Sequence, residues 1–228
     1  MKNETLLKKL LKIKEKSKKY DDNIELINQL ITDVKNEILL ENNIIKNSTK
    51  ARNRYCLNYA KKLRKSTRPV LSYCKYDNEN QIFTDGVFFV SLSKNDYLPL
   101  EAVPENMNYP TTDHLIKNIN YNINSIIINT NNLLNNLKLY SKLTIKIDEN
   151  KYIALDSENL KKLLTFMNLL KEDIITINYH DFSNTLYCGY PVSVKNGDSI
   201  GLLCTFRLTE IPTEYHIIKN NELVLVEE

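Results

Sequence analysis

Gln81–Leu92, QIFTDGVFFVSL, is the stretch on which the reading of this chain turns. Ile82 and Thr84 alternate on one side of an Asp85-Gly86 dipeptide, and Val87 to Val90 follow on the other. Aromatic and β-branched residues fit a pleated, half-buried surface, and a glycine after aspartate admits a positive φ. The pattern predicts a strand or a tight hairpin.

Working outward, a basic helix precedes this stretch. Its expected span is Ala51 to Lys65, with Cys56, Leu57, Ala60 and Leu63 inward and Pro69 ending it. Arg54, Lys61 and Lys65 recur at steps of seven and four, so they share one face, with Arg52, Lys62, Arg64 and Arg68 nearby. Such a stripe is either a solvated helix face or a set of phosphate contacts. Residues 1–68 hold 18 Lys and Arg against 8 Asp and Glu, a net +10. The remainder holds 13 against 20, a net −7. A basic segment beside an acidic body implies contact with a polyanion or attraction between the two parts.

Further upstream, Leu6, Leu7, Leu10, Leu11 and Ile13 fall on one helical side. Ile24, Ile27, Ile31, Val34, Ile38 and Ile45 then keep heptad-like spacing. Residues 1–48 therefore read as a helical hairpin packing on its own domain or a self-associating coiled coil. The oligomerisation candidates are Ile27, Ile31, Val34 and Ile38, and a lipid-surface helix fits least.

Downstream, VLSYCKY from Val70 reads as a strand, and three prolines mark residues 93–113 as a connection. A strand is expected at 125–129, followed by a short helix capped by Thr130. Strands follow at 143–147 and 151–155, then a helix capped by Asp156 or Ser157 and carrying Leu160, Leu163, Leu164, Met167 and Leu170. Further strands are expected at 174–179, 185–194 and 199–208. EYHII and ELVLV flank Asn220-Asn221 as a hairpin. Helices separated by runs of strands predict an α+β chain with mainly antiparallel sheets.

Chemistry is sparse. No phosphate-loop, dinucleotide, nucleophile-elbow or zinc-protease motif occurs, and four glycines leave little for a phosphate loop. His114, His180 and His216 are scattered, and no Cys/His spacing suits a metal. His180-Asp181, Asp85 and Asp148-Glu149 read as turn residues. Neither an enzyme nor a cofactor or metal is expected. Cys56, Cys74, Cys188 and Cys204 lie far apart, as in a reduced, cytoplasmic protein, and no apolar run is long enough for a membrane span.

Two ends of the chain together resemble a known family. KYIALDSENLKKLLTFMNLLKEDIITINY from Lys151, followed by GLLCTFRL, is similar to the closing part of the bacterial DNA polymerase sliding clamp, the β subunit. Arg68-Pro69-Val70-Leu71 resembles the family's Arg-x-x-Leu, and Phe83-Thr84-Asp85-Gly86 its Ala-Thr-Asp-Gly. Tyr109-Pro110-Thr111-Thr112 resembles its Phe-Pro-Asp-Tyr junction. The order matches over residues 50–208. The family's His-Arg after Thr-Asp-Gly is Val87-Phe88 here, and only Arg207-Leu208 remains of its terminal Met-Pro-Met-Arg-Leu.

This resemblance implies sliding-clamp-like helix-plus-sheet halves at 49–122 and 123–228 within one α+β domain. It implies a non-enzymatic, DNA-associated protein that holds DNA or recruits replication factors, with several copies needed to encircle a duplex. Double-stranded DNA would lie on Arg52, Arg54, Lys61, Lys62, Arg64, Lys65 and Arg68. A polymerase or other replication protein would meet a partner pocket of Thr84, Gly86, Phe88, Thr205 and Arg207. The divergence suits a phage or mobile-element version. An interaction module that mimics a clamp to occupy a host replication or defence complex is the alternative.

Overall fold

The computed structural model describes residues 50–77, 79–112, 114–115, 124–182, 186 and 188–227. The helical reading of 1–48, with Ile27, Ile31, Val34 and Ile38, lies outside the described residues. The chain is α+β, and among the described residues its strands are antiparallel apart from one parallel pairing, of His216 with Ile145, and an isolated parallel bridge between Cys74 and Ala102.

Helix α1 (Lys50–Leu63) leads through a 3-10 turn (Pro69–Ser72) into β1 (Lys75–Asp77), β2 (Asn80–Thr84) and β3 (Phe88–Leu92). After the connection come β4 (Asn124–Asn129), α2 (Thr130–Leu139), β5 (Lys142–Asp148), β6 (Lys151–Asp156) and α3 (Ser157–Phe166). The chain continues through β7 (Ile174–Tyr179), β8 (Val192–Asn196), β9 (Ser199–Leu203), β10 (Glu214–Lys219) and β11 (Glu222–Glu227).

One sheet has the order β1-β2-β3-β9-β8-β7-β4 and the other β11-β10-β5-β6. The first is continuous through β3 and β9, where Phe88 pairs with Leu203 and Val90 with Gly201. Strands from both sides of the connection thus share one sheet.

QIFTDGVFFVSL is a hairpin, β2 against β3, with Gln81 opposite Leu92 and Thr84 opposite Phe89. Asn220 and Asn221 both take positive φ, 51° and 64°, and close the β10–β11 hairpin. Asparagine tolerates this left-handed region, and two such residues match the twist of the flanking strands.

Several boundaries differ from expectation. Pro69–Ser72 turns instead of extending, because Pro69 fixes φ and Ser72 Oγ donates to the Pro69 carbonyl at 2.7 Å. Asn129, not Thr130, caps α2, accepting from Asn132 N at 3.1 Å. Asp156 caps α3 through Asn159 N at 2.7 Å. That helix ends at Phe166, and Asn168, with φ 57°, turns the chain away before Leu170. The expected strand 185–194 begins only at Val192. The preceding backbone borders β6 instead, Cys188 N donating to the Tyr152 carbonyl and Tyr152 N to that of Leu186. Strand 199–208 stops at Leu203, after which Phe206 N donates to the Ala154 carbonyl.

Leu160, Leu163, Leu164, Phe166 and Met167 bury α3 against the larger sheet. Phe83 stacks on Phe166 with ring centroids 4.9 Å apart, and Phe88 meets the same ring edge-on at 5.1 Å. The hairpin and α3 therefore share one aromatic core, which fixes where the Asp85-Gly86 turn projects.

Candidate partner groove and basic helix face

The turn is built by three side chains. Asp85 Oδ1 accepts from Val87 N at 2.8 Å and Phe88 N at 2.9 Å, while Oδ2 accepts from the Tyr59 hydroxyl of α1 at 2.5 Å. Thr84 Oγ1 donates to the Phe88 carbonyl at 2.7 Å and accepts from Gly86 N at 3.1 Å. Gly86 takes φ 93°. Burial, reinforced by the hydrogen bond to Asp85, pushes the Tyr59 phenol above its ordinary range. Asp85 is thus a turn-former with its lone pairs committed.

Beside this turn lies a groove of about 390 Å³. Arg68 and Leu71 flank it from the 3-10 turn, and Gly86 and Phe88 from the hairpin. Pro110, Thr112 and Leu115 come from the connection, and Pro191, Leu202 and Cys204 from the far end of the chain. Tyr109 secures the connection by accepting from Thr84 N at 3.1 Å, and it packs with Leu115 on Ile82, Phe89 and Leu202. Among the described residues the lining is mostly apolar, and Arg68 is its single charged member.

The Arg68 guanidinium lies over Gly86, whose added Cβ would sit 4.0 Å from Nη1. Thr112 is 1% exposed, and its hydroxyl has no hydrogen-bond partner among the described residues. An unpaired buried hydroxyl costs about 1–3 kcal/mol. Cys204 is exposed, whereas Cys56, Cys74 and Cys188 are buried. Burial pushes the Cys56 thiol up to about 12 and the Cys74 thiol up to about 11.

Of the expected partner-pocket residues, Thr84, Gly86 and Phe88 line the groove, whereas Thr205 and Arg207 do not. The chain leaves the sheet after Leu203, and Thr205 Oγ1 donates to the Cys188 carbonyl. Leu71 and Pro110 stand in motifs that carried the resemblance, yet they were not assigned to the pocket. Thr112 and Cys204 also stand in stretches that carried the resemblance and were not assigned to the pocket, whereas nothing local in the sequence marks Pro191, which joins the groove through tertiary packing.

The seven basic residues separate into different environments. Arg52 is corrected: it is 4% exposed, and its guanidinium donates to the Phe166 carbonyl at 3.0 Å and the Asp96 carbonyl at 2.9 Å. It holds the C-terminus of α3 and faces no solvent polyanion. Arg64 bridges Glu101 at 3.0 Å and lies over the Tyr73 ring. Lys61 is half-buried, and Arg68 belongs to the groove. Arg54 and Lys62 remain exposed on α1, and Lys65 is exposed in the turn just after it.

His180 stacks on Tyr190, with centroids 4.3 Å apart, and its Nδ1 faces the Asp181 carbonyl rather than a carboxylate. Asp148 Oδ1 accepts from Glu149 N at 2.8 Å, as a turn residue does. Among the described residues no cluster of His, Cys, Asp or Glu suits a metal ion, and no helix is long and apolar enough to cross a membrane.

No protein-family model matches the chain, and no curated protein matches it. Solved structures do. A Helicobacter pylori β clamp bound to a DNA ligase peptide aligns at 11% identity and TM-score 0.43, over 67% of this chain and 63% of the clamp. The β subunit of DNA polymerase from Streptococcus pyogenes aligns at 13% identity and TM-score 0.44, over 70% and 64%. DNA polymerase III subunit β from Borrelia burgdorferi aligns at 12% identity and TM-score 0.43, over 69% and 62%. This chain spans less than two thirds of the length of each. It is similar to the bacterial DNA polymerase III β sliding clamps.

Proposed function

We propose that this chain is a non-enzymatic, sliding-clamp-like protein of DNA replication, and that its groove docks a short apolar segment of another replication protein. One observation carries the reading. Arg68 and Leu71, Thr84 and Gly86, and Pro110 come from three separated stretches with clamp-like motifs, and all five line one groove. A mostly apolar concavity with few polar groups is the ordinary form of such a site. Exposed Arg54, Lys62 and Lys65 supply the second part of the proposal, a backbone contact to double-stranded DNA.

Cys204 makes the groove directly testable, because it is the only exposed cysteine of the four in the sequence. Peptides selected by display on the intact protein should include apolar segments that slow alkylation of Cys204 by N-ethylmaleimide. Gly86→Trp, which fills the groove, should abolish both binding and protection. Peptides that bind while Cys204 reacts at its free rate would place docking elsewhere and overturn the reading.

A further inference from the structure

A second hollow, of about 340 Å³, opens where the start of α1 meets the end of α3. Ala51, Arg52 and Tyr55 line it from α1, and Thr165, Leu170 and Lys171 from the last turn of α3 and the chain beyond. Asn168, with φ 57°, turns the chain aside after α3, so Leu170 closes one wall. Tyr55 is 40% exposed, although Tyr59, one turn later, is engaged with Asp85 and two phenylalanine rings. The lining is mostly apolar, and its charged members among the described residues, Arg52 and Lys171, are both basic.

The chain itself supplies an occupant. Residues 1–49 lie outside the described residues and run directly into α1, and their last apolar pair is Ile44-Ile45, with Ile45 six positions before Ala51. Six residues reach roughly 20 Å at full stretch, enough to fold back beside the first turn of α1. A tether this short holds the pair at an effective concentration on the order of millimolar. Glu41 fills the slot between Ile38 and Ile45 and cuts the pair off from the apolar seam read over Ile24 to Ile38. Residues 36–45 hold two acids, Glu37 and Glu41, and no Lys or Arg, which complements the basic lining. We propose that Ile44 and Ile45 dock in this hollow of their own chain, with Glu41 toward Lys171, and so pin residues 1–49 to the body. This site selects packing on the chain's own domain over a coil shared between chains.

Two measurements on the full chain test this. Trypsin cleavage after Lys46, followed by mass spectrometry, reads whether the neighbouring Ile44-Ile45 pair is docked. The double variant Ile44→Ser, Ile45→Ser should be cut about tenfold faster than wild type, because cleavage follows the open population. Ala51→Asp blocks the hollow from the other side, is tolerated by the first turn of a helix, and should quicken the cut as well. The chain has no tryptophan, so Tyr55→Trp places a single reporter in the wall. Its emission should be blue-shifted and shielded from acrylamide, should stay so through about a hundredfold dilution, and should lose both properties when the serine pair is added. Equal cleavage and equal emission with and without the serine pair overturn the proposal. Faster cleavage in the serine variant but not in Ala51→Asp places the arm elsewhere and overturns the site. Shielding that disappears on dilution assigns the hollow to a second copy and overturns docking within one chain.

Discussion

Asp85 divides its two carboxylate oxygens, one holding Val87 N and Phe88 N and the other the Tyr59 hydroxyl. The turn that borders the groove is therefore anchored to α1, and Gly86 completes it at φ 93°. An added Cβ would have room, with nothing nearer than 3.9 Å, so the cost of Gly86→Ala comes from the backbone. That substitution should destabilise by about 1–3 kcal/mol, the usual range for a side chain held in such a conformation. Denaturant melts read it; a change under about 0.3 kcal/mol would mean the turn relaxes freely.

His216 supplies a pH dependence. It is 2% exposed, with Nε2 against Asn136 Oδ1 at 3.0 Å and Nδ1 against the Thr144 carbonyl at 3.3 Å. Burial holds its pKa below the ordinary value, outweighing the Thr144 carbonyl, which pulls the other way. The folded imidazole stays neutral where the unfolded one has begun to bind protons. Stability contributed by this group is thus intact above about pH 6.5 and declines as the pH falls from there toward the lowered folded value. Melting curves across that window should show the decline, and His216→Gln should remove its share of the slope.

At the scale of elements, α3 meets β9 across Gly201. A Cβ there would lie 2.7 Å from Leu163 Cδ1 and 3.0 Å from Met167 Cγ, so the glycine permits this close approach of helix to sheet. Gly201→Ala should cost about 1–3 kcal/mol by overpacking. Leu163→Ala should cost about 2–5 kcal/mol by leaving a cavity. The two should not add: once Leu163 is truncated, its Cδ1 is gone and the alanine at 201 has space. A double mutant as unstable as the sum of both losses would show that Met167 alone sets the approach.

The pairings of this scale show where the sequence was readable. Alternation over QIFTDGVFFVSL and the Asn220-Asn221 turn are local signals, and both hairpins formed as expected. Where a helix face stopped being solvent was not local. Arg52 and Arg54 differ by two positions, and only the arrival of the α3 terminus and the Asp96 carbonyl makes the first a buried anchor. Thr205 similarly looked like a continuation of β9, but the chain there departs to border β6. Half of the groove came from motif order, and the rest depended on packing between distant segments.

For the whole molecule, the charge separation sets the outcome with nucleic acid. Residues 1–68 carry +10 and the remainder −7. If Arg54, Lys62 and Lys65 each meet a phosphate, replacing all three by alanine should flatten the log–log salt dependence of duplex binding by about 2.7. The loss should be equal for unrelated duplexes, because no base edge is read. Filter-binding titrations at several salt concentrations measure this. Unchanged DNA affinity with a lowered melting temperature would instead assign the three cations to the protein's own acidic surface.

The joint between β3 and β9 also sets a timetable for the newborn chain. Phe88 finds its partner Leu203, and Val90 finds Gly201, more than a hundred residues after each is made. At ~5–20 residues per second, the ribosome leaves the β3 edge without its neighbour for roughly 5–20 s. Val90 and Leu92, both wholly buried in the finished protein, wait through that interval beside an open backbone edge. Edges of this kind invite pairing with other chains. Translation arrested before Ser199 would release a product with a permanently open edge, so stalled fragments of this protein should aggregate more readily than the full chain.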